Sequence, residues 1–213
     1  MRKKILIIGL VGVTGTIAAL LIYWFFFLWM VRVPTSSMAN TIIPGDHLVV
    51  KKVWGDIKRG DLVVFSYPKQ PSVKYVSRVV GLPGETIEVR DKLVFIDGKE
   101  LPERRVLVKR NFDVDILEEL SAEGAGPYQV YYAFPRAAGD MRTNPDMNFG
   151  AKGPFQIPEN QYFMMGDNRD NSYDSRFQGT IPRDSIWGKP TKIYWSESRV
   201  GSVRWDRIST GVK

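Results

Sequence analysis

Val33-Pro34-Thr35-Ser36-Ser37-Met38-Ala39-Asn40-Thr41 follows directly on a long apolar run and organises the rest of the chain. Small hydroxyl residues crowd beside a proline where that run ends, so a polar turn is expected there. We read Ser37 as a candidate nucleophile, and the remaining sequence has to supply what a serine needs to react. Ahead of the turn lies Met1-Arg2-Lys3-Lys4, then residues 5–31 without a charged side chain. At ~1.5 Å rise per residue such a run is long enough to cross a ~30 Å hydrocarbon layer. It also exceeds the apolar core of a cleaved secretory leader, about 7–15 residues. Tyr23, Trp24 and Trp29 fall toward its distal end, where amphipathic rings favour an interface. The expectation is one transmembrane helix over 5–31, with residues 1–4 a cationic cytoplasmic N-terminus and the body outside, on the periplasmic side of the inner membrane. Membrane lipid is then an expected partner.

The chain has 213 residues, no cysteine and a single histidine, His47. The missing cysteines remove disulfides, zinc–thiolate sites and a cysteine nucleophile. One histidine rules out a two-histidine metal site, and a Ser-His-Asp triad would have to use that one ring. No metal or other cofactor is expected. The formal charge of +7 is moderate and its Lys and Arg are scattered among acids, which together with the lack of a nucleic-acid motif argues against nucleic-acid binding.

Beyond the opening turn the pattern is that of strands. Pro44-Gly45-Asp46, Lys58-Arg59-Gly60-Asp61, Pro83-Gly84 and Asp97-Gly98 punctuate strand-like runs over 47–54, 62–67, 73–82, 86–89 and 93–96. Residues 102–158 change character: 113–123 is acidic and reads as a short helix or loop, glycines and prolines interrupt, and 128–134 is strand-like. Strands resume over 161–166 and 186–195. The fold class expected is mainly β, an antiparallel sheet body carrying a small β-rich insertion and preceded by the one N-terminal helix. Residues 32–101 and 159–213 form the two parts of the body, and 102–158 the insertion or cap lobe.

The Asp/Asn/Arg/Ser-rich stretch 167–176 invites a calcium reading, but the glycine and distal glutamate of an EF-hand loop are missing and Arg169 intrudes. A rigid loop bonded to its own backbone fits better. In it Asp174 and Arg176 would pair, and Ser172 would present a hydroxyl.

Four segments in fixed order now carry a resemblance: Pro34-Thr35-Ser36-Ser37-Met38 with Thr41 and Gly45-Asp46; Arg59-Gly60-Asp61-Leu62-Val63-Val64-Phe65; Tyr75-Val76-Ser77-Arg78-Val79-Val80-Gly81-Leu82-Pro83-Gly84; and Gly166-Asp167-Asn168-Arg169-Asp170-Asn171-Ser172 with Asp174-Ser175-Arg176. Together they make the chain resemble the type I signal peptidases, membrane-anchored serine endopeptidases that remove signal peptides from exported pre-proteins. The resemblance covers nearly all of the chain outside the middle insertion. It implies that Ser37 is the nucleophile. The Ser37 N–H and the Thr35 hydroxyl would hold the oxyanion, Ser172 would orient the general base, and Asp174 and Arg176 would be the supporting ion pair. Val33, Met38, Ile42, Tyr75 and Val76 would line shallow pockets for small residues, Ala-x-Ala-like, before the cleaved bond.

One position departs from the family. The general base is a lysine in the pattern Tyr-x-Lys-Arg, and here Ser77 stands in its place. A hydroxyl does not accept a proton from serine near neutral pH, whereas a neutral buried amine does. Lys74 is three positions away on the same strand and so on its opposite face; Lys51, Lys52 and His47 belong to another segment. The expectation is therefore double: a working signal peptidase in which another group or a water network replaces the lysine, or a catalytically silent signal-peptidase-like binding protein or base-deleted variant. A self-cleaving repressor-type relative is argued against by the membrane segment and by the lack of a DNA-binding helical domain.

Overall fold

A computed structural model of the chain describes residues 13–17, 28–109, 115–134, 148–150 and 153–212. Its centre is a seven-stranded sheet in the order β1-β2-β14-β3-β4-β12-β13. The strands are β1 (Leu28–Arg32), β2 (Asp46–Lys52), β3 (Leu62–Tyr67), β4 (Gln70–Gly81), β12 (Gln161–Met165), β13 (Ile181–Pro182) and β14 (Ile186–Ser196). All neighbouring pairs run antiparallel. β3 reads Leu-Val-Val-Phe-Ser-Tyr without alternation because it is covered on both faces. Leu62 and Val64 pack with Val33, Met38, Ile42, Leu48 and Val50, while Val63, Phe65 and Tyr67 pack with Val79, Met164, Ile181 and Ile186.

Two small sheets flank this body. β5 (Thr86–Arg90), β6 (Leu93–Ile96), β7 (Lys99–Glu100) and β11 (Phe155–Gln156) form one, in the order β11-β5-β6-β7. The other is β10-β8-β9, from β8 (Arg104–Lys109), β9 (Glu119–Glu123) and β10 (Gln129–Phe134). β10 and β8 pair in parallel, the exception to the antiparallel rule. The acidic stretch expected as a short helix or loop contributes the strand β9, and residues 113 and 114 of it lie outside the described residues.

The expected transmembrane helix over 5–31 is corrected. Leu28–Arg32, whose first four residues fall within that run, is a strand paired in register with β2, Trp29 opposite Val50 and Val31 opposite Leu48. The residues Leu-Trp-Met-Val-Arg alternate: Trp29 and Val31 pack onto the core, and Met30 faces outward, half exposed. That period of two is a strand's, and it pulls this end of the apolar run into the sheet. Residues 13–17 are helical, and 5–12 and 18–27 lie outside the described residues. Among the described residues no helix is long and apolar enough to cross a membrane, so the single-pass topology falls with the helix.

Four tyrosines, Tyr67, Tyr128, Tyr131 and Tyr132, are buried here, and burial pushes each phenol above its ordinary value of 10.0. The folded state keeps protons that the unfolded chain releases, so their contribution is complete below pH 10.0 and is lost as pH rises through the raised values. The urea midpoint is expected to fall progressively above that pH. Tyr67→Phe, which removes a buried hydroxyl with no hydrogen-bond partner, should flatten part of the slope.

Candidate active site

Residues 33–45 form a loop between β1 and β2 whose ends are tied together. Val33 N–H donates to Asp46 O at 2.8 Å, and Gly45 N–H to Val33 O at 2.9 Å. Within the loop Met38, Ala39, Ile42 and Ile43 are at most 1% exposed and draw the backbone inward. Ser36 and Ser37 stay at the surface, because no apolar burial is gained by turning them in. The Ser37 hydroxyl lies 3.3 Å from the Thr35 hydroxyl.

A second loop, 166–176, locks onto the first. Asn168 N–H donates to Ser37 O at 3.0 Å, Asn168 Nδ2 to Ser36 O at 3.0 Å, and Asn171 Nδ2 to Ser36 Oγ at 2.8 Å. Thr41 Oγ1 donates to Asp167 Oδ2 at 2.7 Å, and Asp167 N–H points at Met38 Sδ. Glycine is required at 166: a Cβ there would meet Ser172 Oγ at 2.3 Å and Ser37 O at 2.5 Å. That close approach sets Ser172, itself buried, beside the Ser37 backbone.

Charge holds this loop from behind. Asp174 takes Nε and Nη2 of Arg176, both at 2.8 Å, and accepts from Gly166 N–H at 2.9 Å. Arg78 is 2% exposed and grips Asp167 through two bonds of 2.8 and 2.7 Å. A third buried guanidinium, Arg169, forks onto Glu103, with Nη1 to Oε2 at 2.8 Å. Burial alone would lower its pKa, but the Glu103 carboxylate outweighs that and holds it well above the ordinary value.

The far side is fixed by the C-terminal segment. Asp46 is fully buried and accepts from Ile43 N–H at 3.0 Å, from Ser196 Oγ at 2.7 Å and from Arg207 at 2.6 and 3.1 Å. Arg207 Nη2 also donates to Thr41 O at 3.2 Å, and Arg204 Nη1 to Pro44 O at 3.1 Å.

Between these supports runs an open cleft of about 620 Å³. Val33, Thr35, Ser37, Met38, Tyr75, Val76, Ser77 and Ser172 all line it, so one cleft joins most of the residues singled out in the sequence. Ile42 is fully buried in the core and is not part of the lining, and Asp174 and Arg176 stand behind it. Ser77 is 6% exposed on β4, opposite Val63 of β3. Among the described residues no hydrogen bond reaches its hydroxyl.

Of the cations weighed in place of the missing lysine, Lys74 lines the cleft but is held by other partners. Lys74 Nζ bonds Ser66 Oγ at 3.1 Å and Pro71 O at 3.3 Å and lies 3.1 Å from the Trp187 ring centre; desolvation lowers its pKa. It occupies the face of β4 opposite to Ser77. Lys52 Nζ sits over Trp54, and the His47 ring lies between Tyr194 and Glu197, outside the cleft lining. Among the described residues, the Thr35 hydroxyl is the hydrogen-bond partner of Ser37 Oγ, and no three His, Cys, Asp or Glu side chains gather in a metal-binding group.

The sequence reading passed over four contributors. Tyr67 lines the cleft from the end of β3 and carried no signal beyond its strand. Asn168 and Asn171 lay inside a segment already quoted, but side-chain clamps on Ser36 follow only from the fold. Glu103, partner of Arg169, sits in the insertion, far along the sequence from the loop it supports.

Comparison with known proteins gives a consistent picture. Residues 6–195 match the family described as signal peptidase, peptidase S26. Signal peptidase I of Pseudomonas fluorescens is 32% identical over 202 residues, covering 81% of this chain and 67% of that protein. Signal peptidase I of Aquifex aeolicus (strain VF5) is 32% identical over 194 residues, covering 77% of this chain and 74% of that protein. A crystal structure of a signal peptidase I from Enterococcus faecalis V583 overlaps 64% of this chain and 98% of its own, at 22% identity and a TM-score of 0.38, too low for the fold to be argued from it.

Proposed function

We propose a function from an established premise: the chain belongs to the signal peptidase family, peptidase S26. It binds the signal peptides of exported pre-proteins in the cleft beside Ser37, as a signal-peptidase-I-type serine endopeptidase whose acylation step is slow. Ser37 is the nucleophile. Its own N–H and the Thr35 hydroxyl are the donors for the oxyanion of the tetrahedral intermediate. Val33, Met38, Tyr75 and Val76 form the shallow walls that accept small side chains, and Ser172 with the Asp174–Arg176 pair holds the loop in place.

The observation that carries the slow step is the surroundings of Ser37 Oγ: a hydroxyl is its partner, and among the described residues no amine or imidazole is hydrogen-bonded to it. Loss of a general base costs about 10²–10⁴-fold, while oxyanion donors and binding alone retain a residual ~10³–10⁴ over water. Recognition of the peptide is therefore kept and turnover is not. The test is direct binding of fluorescent signal peptides. A peptide with alanine before the cleavage point should bind at least ~10-fold more tightly than one with tryptophan there, by the steric exclusion of a shallow pocket. Equal affinity for both would refute the assignment of the cleft.

A further inference from the structure

The wall of the cleft around Ser77 has more hydroxyl groups than hydrogen bonds. Ser77 and Ser172 both line the cleft, and among the described residues neither hydroxyl has a partner. Tyr67 also lines it and packs edge-on against Tyr75, the residue that shares Ser77's face of β4, with ring centres 5.0 Å apart. Its hydroxyl is sealed from solvent and has no hydrogen-bond partner among the described residues, although Ser175 and the Asp174 carboxylate are near enough to influence its ionisation. Ser175 Oγ is already taken by Met164 N–H at 2.9 Å, and Asp174 by Arg176 and Gly166. A sealed polar group without a partner, as the Tyr67 hydroxyl is, is rare and points to a ligand or to chemistry, and the Ser77 and Ser172 hydroxyls beside it are open to the cleft.

We propose that the part of the cleft bounded by Ser77, Ser172 and Tyr75 is a binding site for a small neutral aliphatic amine, which there serves as the general base for Ser37. This rests on the reading of Ser37 as a nucleophile. Of the simple ligand classes the surroundings select an amine. Its N–H groups meet the Ser77 and Ser172 oxygens and its lone pair faces a hydroxyl donor. Its short alkyl chain lies against the Tyr75 and Tyr67 rings. An anion is disfavoured by the nearby Asp174 carboxylate, whereas the ammonium formed on proton transfer is favoured by it. The proton balance closes. The amine takes the Ser37 hydroxyl proton as Oγ bonds to the peptide carbonyl carbon, and the ammonium returns it to the leaving nitrogen as the C–N bond breaks. In the second half the amine takes a proton from water as the water oxygen attacks the acyl carbon. It then protonates Ser37 Oγ as the ester bond breaks.

The experiment measures pre-protein cleavage by the full chain in methylamine, ethylamine, n-propylamine and n-pentylamine, at constant pH and ionic strength. The expected result is a gain of about 10²-fold or more that saturates with the concentration of free base. It should be largest for the two- and three-carbon amines, be absent in Ser37→Ala, and be abolished by Ser77→Leu, which fills the space. A linear gain, equal for all four amines and persisting in Ser37→Ala, is solution chemistry and overturns the site. Full cleavage without amine overturns it as well, since a base is then already present. If Ser77→Lys cleaves and no amine accelerates the original chain, the amine site fails while the function proposed above stands. If neither cleaves, the amine site and the reading of Ser37 as a nucleophile both fail, while peptide recognition in the cleft stands or falls by the affinity test above.

Discussion

Ser77→Lys is expected to raise the rate of pre-protein cleavage by about 10²–10⁴-fold, the effect of supplying a positioned general base. The gain should appear in kcat with KM nearly unchanged, because the cleft walls that hold the peptide are untouched. The backbone favours it: Ser77 is on the interior strand β4, opposite Val63 of β3, so the new side chain starts from a rigid point. The position is 6% exposed, and desolvation of an amine there lowers its pKa toward the neutral form that accepts a proton. Ser77→Lys combined with Ser37→Ala should be inert. Lys74→Ala should leave the gain intact, since Lys74, although it lines the cleft, is held by Ser66 and Trp187. An original chain that already matches Ser77→Lys would sink the assignment of Ser77 as the deficit, and loss of that activity in Lys74→Ala would move the base to Lys74.

The second large effect is on stability. Asp167→Ala is expected to cost about 3–5 kcal/mol, the usual result of stripping a carboxylate from a buried ion pair. Asp167 is fully buried, and besides two bonds from Arg78 it accepts one from Thr41 in the Ser37 loop. Arg78 has little room to find water, since it lies over the Tyr128 ring at 4.2 Å and bonds Gly60 O at 2.7 Å. Replacing both partners, Asp167→Ala with Arg78→Met, should recover part of the loss, because no uncompensated charge remains. Urea unfolding of the three variants measures this. A loss below ~1 kcal/mol in Asp167→Ala would mean that the pair is no more than a surface bridge in effect.

The strands of the body were legible because turn residues bracket them. Leu62–Tyr67 and Leu93–Ile96 stand where their flanking turns, with Gly60-Asp61 before the first and Asp97-Gly98 after the second, place them. Composition served less well where one residue type suits two environments. Leu28–Arg32 continues an apolar run, and hydrophobicity alone does not distinguish a lipid-facing segment from a strand whose alternate residues enter a core. Ile42 was expected in the wall of the cleft from the resemblance alone; its side chain goes into the core between β2 and β3. At the site, short-range features were readable. The pairing of Asp174 with Arg176 spans two residues, whereas Arg78 with Asp167 spans 89 and Arg169 with Glu103 spans 66, and only the fold brings those together. The hydroxyl deficit around Ser77 was half visible: the serine could be read, its lack of partners could not.

The support of the Ser37 loop by Arg204 and Arg207 has a consequence for the order in which the molecule is made. Synthesis is vectorial and early segments condense first. Yet Thr41 O, Pro44 O and Asp46 wait for side chains more than 150 positions downstream. β2, which ends that loop, likewise finds its partner in β14 only near the end. A nascent chain carries its serine exposed but unset until that downstream segment has emerged to fasten it.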